Sequence, residues 1–357
     1  MKSLSIALLA GTLLGGASLH PSTALAAKVV HLTMTSNVMD RHASISDFYK
    51  PVFKQIAEKT NGTLLITYYN PGALCPEAEI FDSVAAGLVD IGSHYTNRNA
   101  GKLPVTTVFF QPMVFTNAHA AARTALEFYK TTPEARLEYE RSGVKVLGFI
   151  SGVPTDLQFT SSKPPLTLEE LKNMKIIATD SYSMRIVRLL GANPIQIPTT
   201  DAYLSLQRNM AQGATLPIPV LRSAKIAEAT KVCVRVGLRN PVQWLAINQA
   251  KFNSLSPEHQ AVLLEFMSDE NMADGISAVI EKAAEEDKKW LEERNYKFIT
   301  LDPAERERWR AAVVEDCREV WFKEVTERGI TNAAELFARF EEIAAKNEAL
   351  YGLHTKQ

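Results

Sequence analysis

The chain has 357 residues with 39 basic and 40 acidic side chains, a formal net charge of −1, and 46% hydrophobic residues. That balance argues against a nucleic-acid or membrane-surface binder, and the length suits two lobes of ordinary domain size. The three cysteines, Cys75, Cys233 and Cys317, share no metal-ligand spacing and are too few for a disulfide framework, so unpaired and mostly buried thiols are expected.

Lys2, the apolar run LSIALLAGTLLGGASL at 4–19 and the small-x-small trio Ala24-Leu25-Ala26 predict a signal peptide over 1–26, cleaved after Ala26. A periplasmic protein of 331 residues (357 less 26) remains. No later stretch holds the roughly 18 apolar residues a spanning helix needs.

The mature chain alternates strand and helix. VVHLTMTS at 29–36 reads as a strand. Ile45, Phe48, Tyr49, Val52, Phe53 and Ile56 then make one apolar helical face that stops at Asn61-Gly62. LLITYY at 64–69, the helix EAEIFDSVAAG ending at Gly87, and VDIGS complete a strand–helix–strand–helix–strand series, which implies a parallel sheet with crossovers. A helix over 118–130 and strands at 144–150, 157–162, 175–179, 231–238 and within WLAINQAKFNSLS follow, with the helix SYSMRIVRLLG and the strand PIQI between them. In DAYLSLQRNMAQGATLP at 201–217, a cap at Thr199 or Thr200, a core face of Tyr203, Leu206 and Met210, an end at Gly213 and then an extended run are expected. From Ser256 the chain reads as charged amphipathic helix, with Trp290, Leu291, Trp309, Val313, Val320 and Trp321 on its buried side.

Five segments stand in an order that carries a family resemblance: EKTNGTLLITYYNPGAL at 58–74, VAAGLVDIG at 84–92, TSSKPPLTLEELKNMKI at 160–176, GANPIQIPTTDAYLSLQ at 191–207 and LAINQAKFNSLSPEHQ at 245–260. From about residue 28 to 350 the chain resembles the DctP-like solute-binding proteins of TRAP (tripartite ATP-independent periplasmic) transporters. The resemblance implies an α/β protein of the two-lobed periplasmic binding fold, type II-like, with mostly parallel mixed sheets and long interlobe C-terminal helices. It implies closure around a small organic solute, which water exclusion strengthens, and delivery to TRAP membrane subunits for ion-coupled uptake. The lobes are expected at 27–152 with about 215–255, and at 153–214 with about 256–357, crossing near 150–154 and 213–220.

The chain departs from the pattern at the positions that matter for the ligand. Ile177 stands where the resemblance places a carboxylate-binding arginine on the 175–179 strand, and Leu157 where it places a second; Gln212 and Leu216 replace an expected aspartate and asparagine. Isoleucine and leucine pack against carbon and cannot pair with a carboxylate. The expected solute is therefore aromatic, apolar in part, or weakly anionic, with Arg98, Arg185 or Arg222 as a relocated cation. Strand ends, where ligands of open α/β sheets sit, supply the remaining candidates: Ser36, Asn37, Tyr95, Asp156, Gln158, Asp180, Ser181, Thr199 and Trp244. His42 is a candidate contact or closure sensor or, on the plainer reading, an exposed loop residue. No cofactor or metal site is expected. No Gly-x-Ser-x-Gly elbow, His-Glu-x-x-His or phosphate loop is present, so a binding protein is favoured over a secreted enzyme. A binding protein serving another transporter or a sensor is the alternative.

Overall fold

The computed structural model describes residues 29–352, so the expected signal peptide lies outside the described residues. Eleven strands form two sheets. The first is built from β1 (Val30–Ser36), β2 (Leu64–Tyr69), β3 (Ile91–Tyr95), β4 (Val144–Ser151) and β10 (Val242–Asn248), in the order β2-β1-β3-β10-β4. The second holds β5 (Thr155–Phe159), β6 (Lys175–Ala178), β7 (Asn193–Gln196), β8 (Gly213–Leu216), β9 (Val232–Arg239) and β11 (Lys297–Thr300), in the order β11-β9-β5-β8-β6-β7. Pairing is parallel where helical crossovers connect β1, β2 and β3, and antiparallel where β10 returns between β3 and β4.

Each sheet buries both faces. Trp244, Phe149 and Phe81 lie on one face of the first sheet, and Leu245, Ile247 and Leu147 on the other. On the second sheet, Leu157 and Ile176 face the helix Ser181–Leu189, while Ile177 and Leu216 face Leu206. The expected helix ends are visible: Asn61 and Gly62 take left-handed backbone after the helix Lys50–Lys59. Asn117 and Asp180 accept from the Ala120 and Ser183 amides at the starts of the helices Ala118–Thr131 and Ser181–Leu189.

Two strand crossings and two helices join the lobes. Gly152–Pro154 carries β4 into β5, as expected, and Asn240–Pro241 carries β9 back into β10. The helix Ser277–Glu292 packs Ile280 in the first lobe and Leu291 in the second. The helix Pro303–Thr326 packs Trp309 in the second lobe and Trp321 in the first. Trp290 is half-buried between the guanidinium groups of Arg222 and Arg294, 4.7 and 3.9 Å from its ring. All three cysteines are free, and Cys233 and Cys317 are buried.

Three local expectations need correction. The return crossing is not at 213–220: β8 is an interior strand of the second sheet, and Pro217 opens a short helix, Ile218–Ser223. The segment 215–239 therefore remains with the second sheet. The helix Thr199–Gln207 ends before Asn209, which takes φ +55°, so Met210 lies beyond it and is exposed. Its buried face is Ala202, Ser205 and Leu206, Tyr203 is half-buried, and neither Thr199 nor Thr200 caps it. Gly213 starts β8 instead of ending the helix, and a Cβ there would sit 2.5 Å from the Gln158 carbonyl. The strand β11 was hidden in a stretch read as helix.

Candidate functional site

The registers bring one edge of each sheet together. Gln243 lies opposite Tyr95 and Val242 opposite Ser151, so the β3, β10 and β4 ends share an edge. Thr155 lies opposite Arg239, Asp156 opposite Leu216, and Ala178 opposite Gln196, which aligns β5, β9, β8, β6 and β7 along another. Because Gly152–Pro154 and Asn240–Pro241 join these edges, they face each other across the interlobe cleft.

From the first lobe, Asn37 follows β1 and hydrogen-bonds the Tyr95 hydroxyl at the end of β3. The Tyr95 ring meets Phe110 edge-on, with centroids 6.5 Å apart. From the second lobe, Tyr182 meets the same Phe110 at 6.3 Å and 87°. The Arg239 guanidinium lies 5.7 Å from the Phe110 centroid. Its Nη2 donates to Asp180 Oδ2 at 2.5 Å and its Nε to Ser183 Oγ at 3.1 Å. The seam thus joins three aromatic rings to one ion pair, with both lobes contributing.

Burial disfavours charge on Asp180, but Arg239 and the Ser183 amide and hydroxyl outweigh it and hold the carboxyl below its usual range. Burial pushes the Tyr95 hydroxyl up, so it stays protonated. His94 beside it accepts the Tyr95 amide at Nδ1, 2.7 Å away, and its Nε2 lies 3.3 Å from Glu77 Oε1. Burial, helped by Arg98, pushes the imidazole down to about 4, so it is neutral. The side-chain oxygens of Asn37, Thr96, Asn97 and Asn99, all at the β1 and β3 ends, are buried without a hydrogen-bond partner among the described residues. Buried polar atoms normally find partners.

Residues 35–324 match the family of bacterial extracellular solute-binding proteins, family 7. The chain belongs to that family. Family 7 members are solute-binding receptors, not enzymes, and act outside the cytoplasm. The chain is 28% identical over 211 residues to the 2,3-diketo-L-gulonate-binding periplasmic protein YiaO of Escherichia coli, which covers 58% of this chain and 63% of that relative's length. Its fold is similar to a TRAP periplasmic solute-binding protein of Desulfovibrio salexigens in an open complex (TM-score 0.81, 19% identity, 92% and 99% of the two chains). It is also similar to a TRAP solute-binding protein of Rhodoferax ferrireducens in complex with copurified benzoate (TM-score 0.76, 20% identity, 90% and 99%).

Within this family 7 fold, Asn37, Tyr95 and Asp180 converge at the seam. Arg98 sits near them, exposed on the turn Thr96–Asn99 and without an ion pair among the described residues. Ser181 is exposed and Thr199 half-buried at helix starts facing the same edge. Other candidates are engaged elsewhere. Ser36 is buried against the Tyr68 hydroxyl, 2.8 Å away. Asp156 accepts the Val236 and Gly237 amides at 3.0 and 2.9 Å, where β9 bulges against β5. Gln158 is fully buried, donating to the Leu216 carbonyl and accepting from the Tyr296 hydroxyl. Ile177 and Leu157 lie in the apolar layers on opposite faces of the second sheet. Trp244 is fully buried, edge-on to Phe81 at 5.1 Å in the first-lobe core.

Arg185 pairs with Asp316 at 2.5 Å and Arg222 with Asp287 at 3.0 Å, both away from the seam. The His42 ring hydrogen-bonds Ser44 within its own loop. Phe110, Tyr182, Ser183 and Arg239 were not legible as site residues, although Arg239 directly precedes Asn240-Pro241, a strand-ending pair.

Proposed function

We propose that this chain is a periplasmic solute receptor that closes around a small organic solute at the interlobe seam and delivers it to TRAP membrane subunits for ion-coupled uptake. The observation that carries the reading is the seam itself. Tyr95 and Phe110 of one lobe meet the Tyr182 ring and the Arg239 guanidinium of the other, and the side-chain oxygens of Asn37, Asn97 and Asn99 at the strand ends of the first lobe are buried without a partner among the described residues. Such a site is complete only when the lobes are together, which couples binding to closure. Hinging at Gly152–Pro154 and Asn240–Pro241 would part Phe110 from Tyr182 and admit the solute. The benzoate complex of the Rhodoferax neighbour agrees with a solute that presents carbon to aromatic rings.

A thermal-shift screen of the mature protein against aliphatic acids, aromatic acids, polyols and amines tests the reading. A true solute stabilises the fold by about 2.7 kcal/mol at a hundredfold excess over its dissociation constant. Stabilisation by a narrow chemical class supports the receptor reading. A flat response to the whole panel, in protein shown to carry no copurified solute, contradicts it.

A further inference from the structure

We infer that Glu138, a buried acid on the first-lobe helix Pro133–Arg141, is the positioning residue for Phe110, and that its state of ionisation sets how firmly this ring is held at the interlobe seam. The inference rests on the receptor reading above and concerns the wall of the same site.

Phe110 ends the short turn Thr106–Phe110, and its ring is the one that Tyr95, Tyr182 and Arg239 all meet. The turn begins after Val105 without a side-chain cap of its own. Glu138 supplies the acceptor from another helix. Its Oε2 accepts the Val105 amide at 2.8 Å, and its Oε1 accepts the Thr106 amide at 2.9 Å and the Thr106 hydroxyl at 2.6 Å. Bonds to an ionised carboxylate are the strong ones. The other holds on the segment are of a different kind. The Trp321 indole and the Thr107 hydroxyl donate to the Pro104 carbonyl, before the turn starts. Phe109 packs edge-on to Phe128 and Phe149, an apolar contact. The angle at which the turn leaves Val105 therefore depends on the carboxylate. Phe110 lies four residues beyond Thr106, about 8 Å along a turn that rises about 2 Å per residue, so a change of angle is carried to the seam.

The carboxyl can exist in two states. Burial pushes it up to about 8, against the pull of the Thr106 hydroxyl and the Val105 and Thr106 amides. Ionised, it accepts all three donors. Protonated, it donates its own proton and gives up charge-assisted bonding to the turn. The titratable groups packed around it are Tyr139 on its own helix and Tyr129 from the helix Ala118–Thr131, with rings 5.7 Å apart, and burial holds both hydroxyls above their ordinary range. The turn brings hydroxyls and the helix Pro303–Thr326 brings Trp321, none of which titrates here. Around Phe110, burial raises Tyr95 and Tyr182, Asp180 is held low, His94 is pushed down to about 4, and Cys317 beside Tyr182 is pushed up to about 11. Between about pH 6 and 9.5, Glu138 is thus the group whose titration Phe110 should report.

The test is fluorine NMR of the full mature chain, free of solute, with 4-fluorophenylalanine at position 110 and, as a control, at position 159 in the second-lobe core. The resonance at 110 is expected to shift in a single transition with its midpoint near 8, while that at 159 stays flat. Glu138→Gln, which keeps the shape and loses the charge, is expected to abolish the transition. Thr106→Val removes a hydroxyl that favours the ionised carboxyl, so it is expected to move the midpoint upward, and it decides the matter if Glu138→Gln does not fold. A flat response at 110 in the wild type overturns the inference, as does a transition that survives in Glu138→Gln, or a midpoint that Thr106→Val leaves in place or lowers. If the transition behaves as expected and no compound of the screen binds at any pH, the positioning stands and the receptor reading fails. If compounds bind and the transition is missing, the reverse holds.

Discussion

His94 couples the seam to pH. Its Nδ1 accepts the Tyr95 amide at 2.7 Å, which requires the neutral tautomer with the proton on Nε2, facing Glu77. Burial first, and Arg98 second, lower the folded-state value from 6.5 to about 4. Below pH 6.5 the unfolded chain takes up a proton that the folded chain refuses. The stability from a neutral His94 is therefore complete above pH 6.5 and is lost as pH falls towards 4. The difference of 6.5 − 4 = 2.5 corresponds to a ceiling of about 3 kcal/mol at 1.36 kcal/mol each. Urea unfolding of the wild type and of His94→Gln at pH 7.5, 6.0, 5.0 and 4.5 measures it. The wild type should lose about 2–3 kcal/mol more than the variant between pH 7.5 and 4.5. A difference between the two proteins that stays constant across this range, or grows in favour of the wild type at low pH, refutes the reasoning.

Further predictions follow from individual contacts. Gly213→Ala places a Cβ 2.5 Å from the Gln158 carbonyl, so unfolding should become easier by roughly 1–3 kcal/mol in urea titrations. Tyr296→Phe deprives the fully buried Gln158 of its donor at 3.1 Å and should cost about 1–3 kcal/mol by the same assay, with solute affinity unchanged. Trp244→Phe should lower the melting temperature through lost packing against Phe81 while leaving solute dissociation constants within about twofold, because the indole is core. Arg306→Met strands the Val236 and Met113 carbonyls, whose side chains share the second-lobe core, and should cost about 2–4 kcal/mol and speed amide exchange at both.

Much of the fold was legible because the central strands are buried on both faces, which leaves dense apolar runs such as VCVRVGL and VQWLAIN. What failed was local. Pro217-Ile218-Pro219 reads as extended from sequence, yet a proline near a helix start is favourable, and a helix forms. Lys297–Thr300 is a four-residue edge strand, too short to interrupt the helical charge pattern around it. The site was half legible. Asn37, Tyr95 and Asp180, singled out because they stand at strand ends, lie together at the proposed seam. Asp156 lies inside the ladder because β5 starts at Thr155, two residues before the expected strand, and the side chains of Asp156 and Gln158 are committed to β9 and β8 partners. Arg239 was missed because its value lies in register: it stands opposite Thr155, and only the paired sheet shows that this end faces Phe110 of the other lobe.

The central claim is closure on a solute, and an interlobe distance tests it most directly. Leu88 in the first lobe and Leu204 in the second are 77% and 47% exposed, so Leu88→Cys and Leu204→Cys accept spin labels, with Cys75→Ser in the background and Cys233 and Cys317 buried. The account predicts a broad distance distribution in solute-free protein that narrows and shortens with each compound that raises the melting temperature. A distribution that solute leaves unchanged while the melting temperature rises would contradict it.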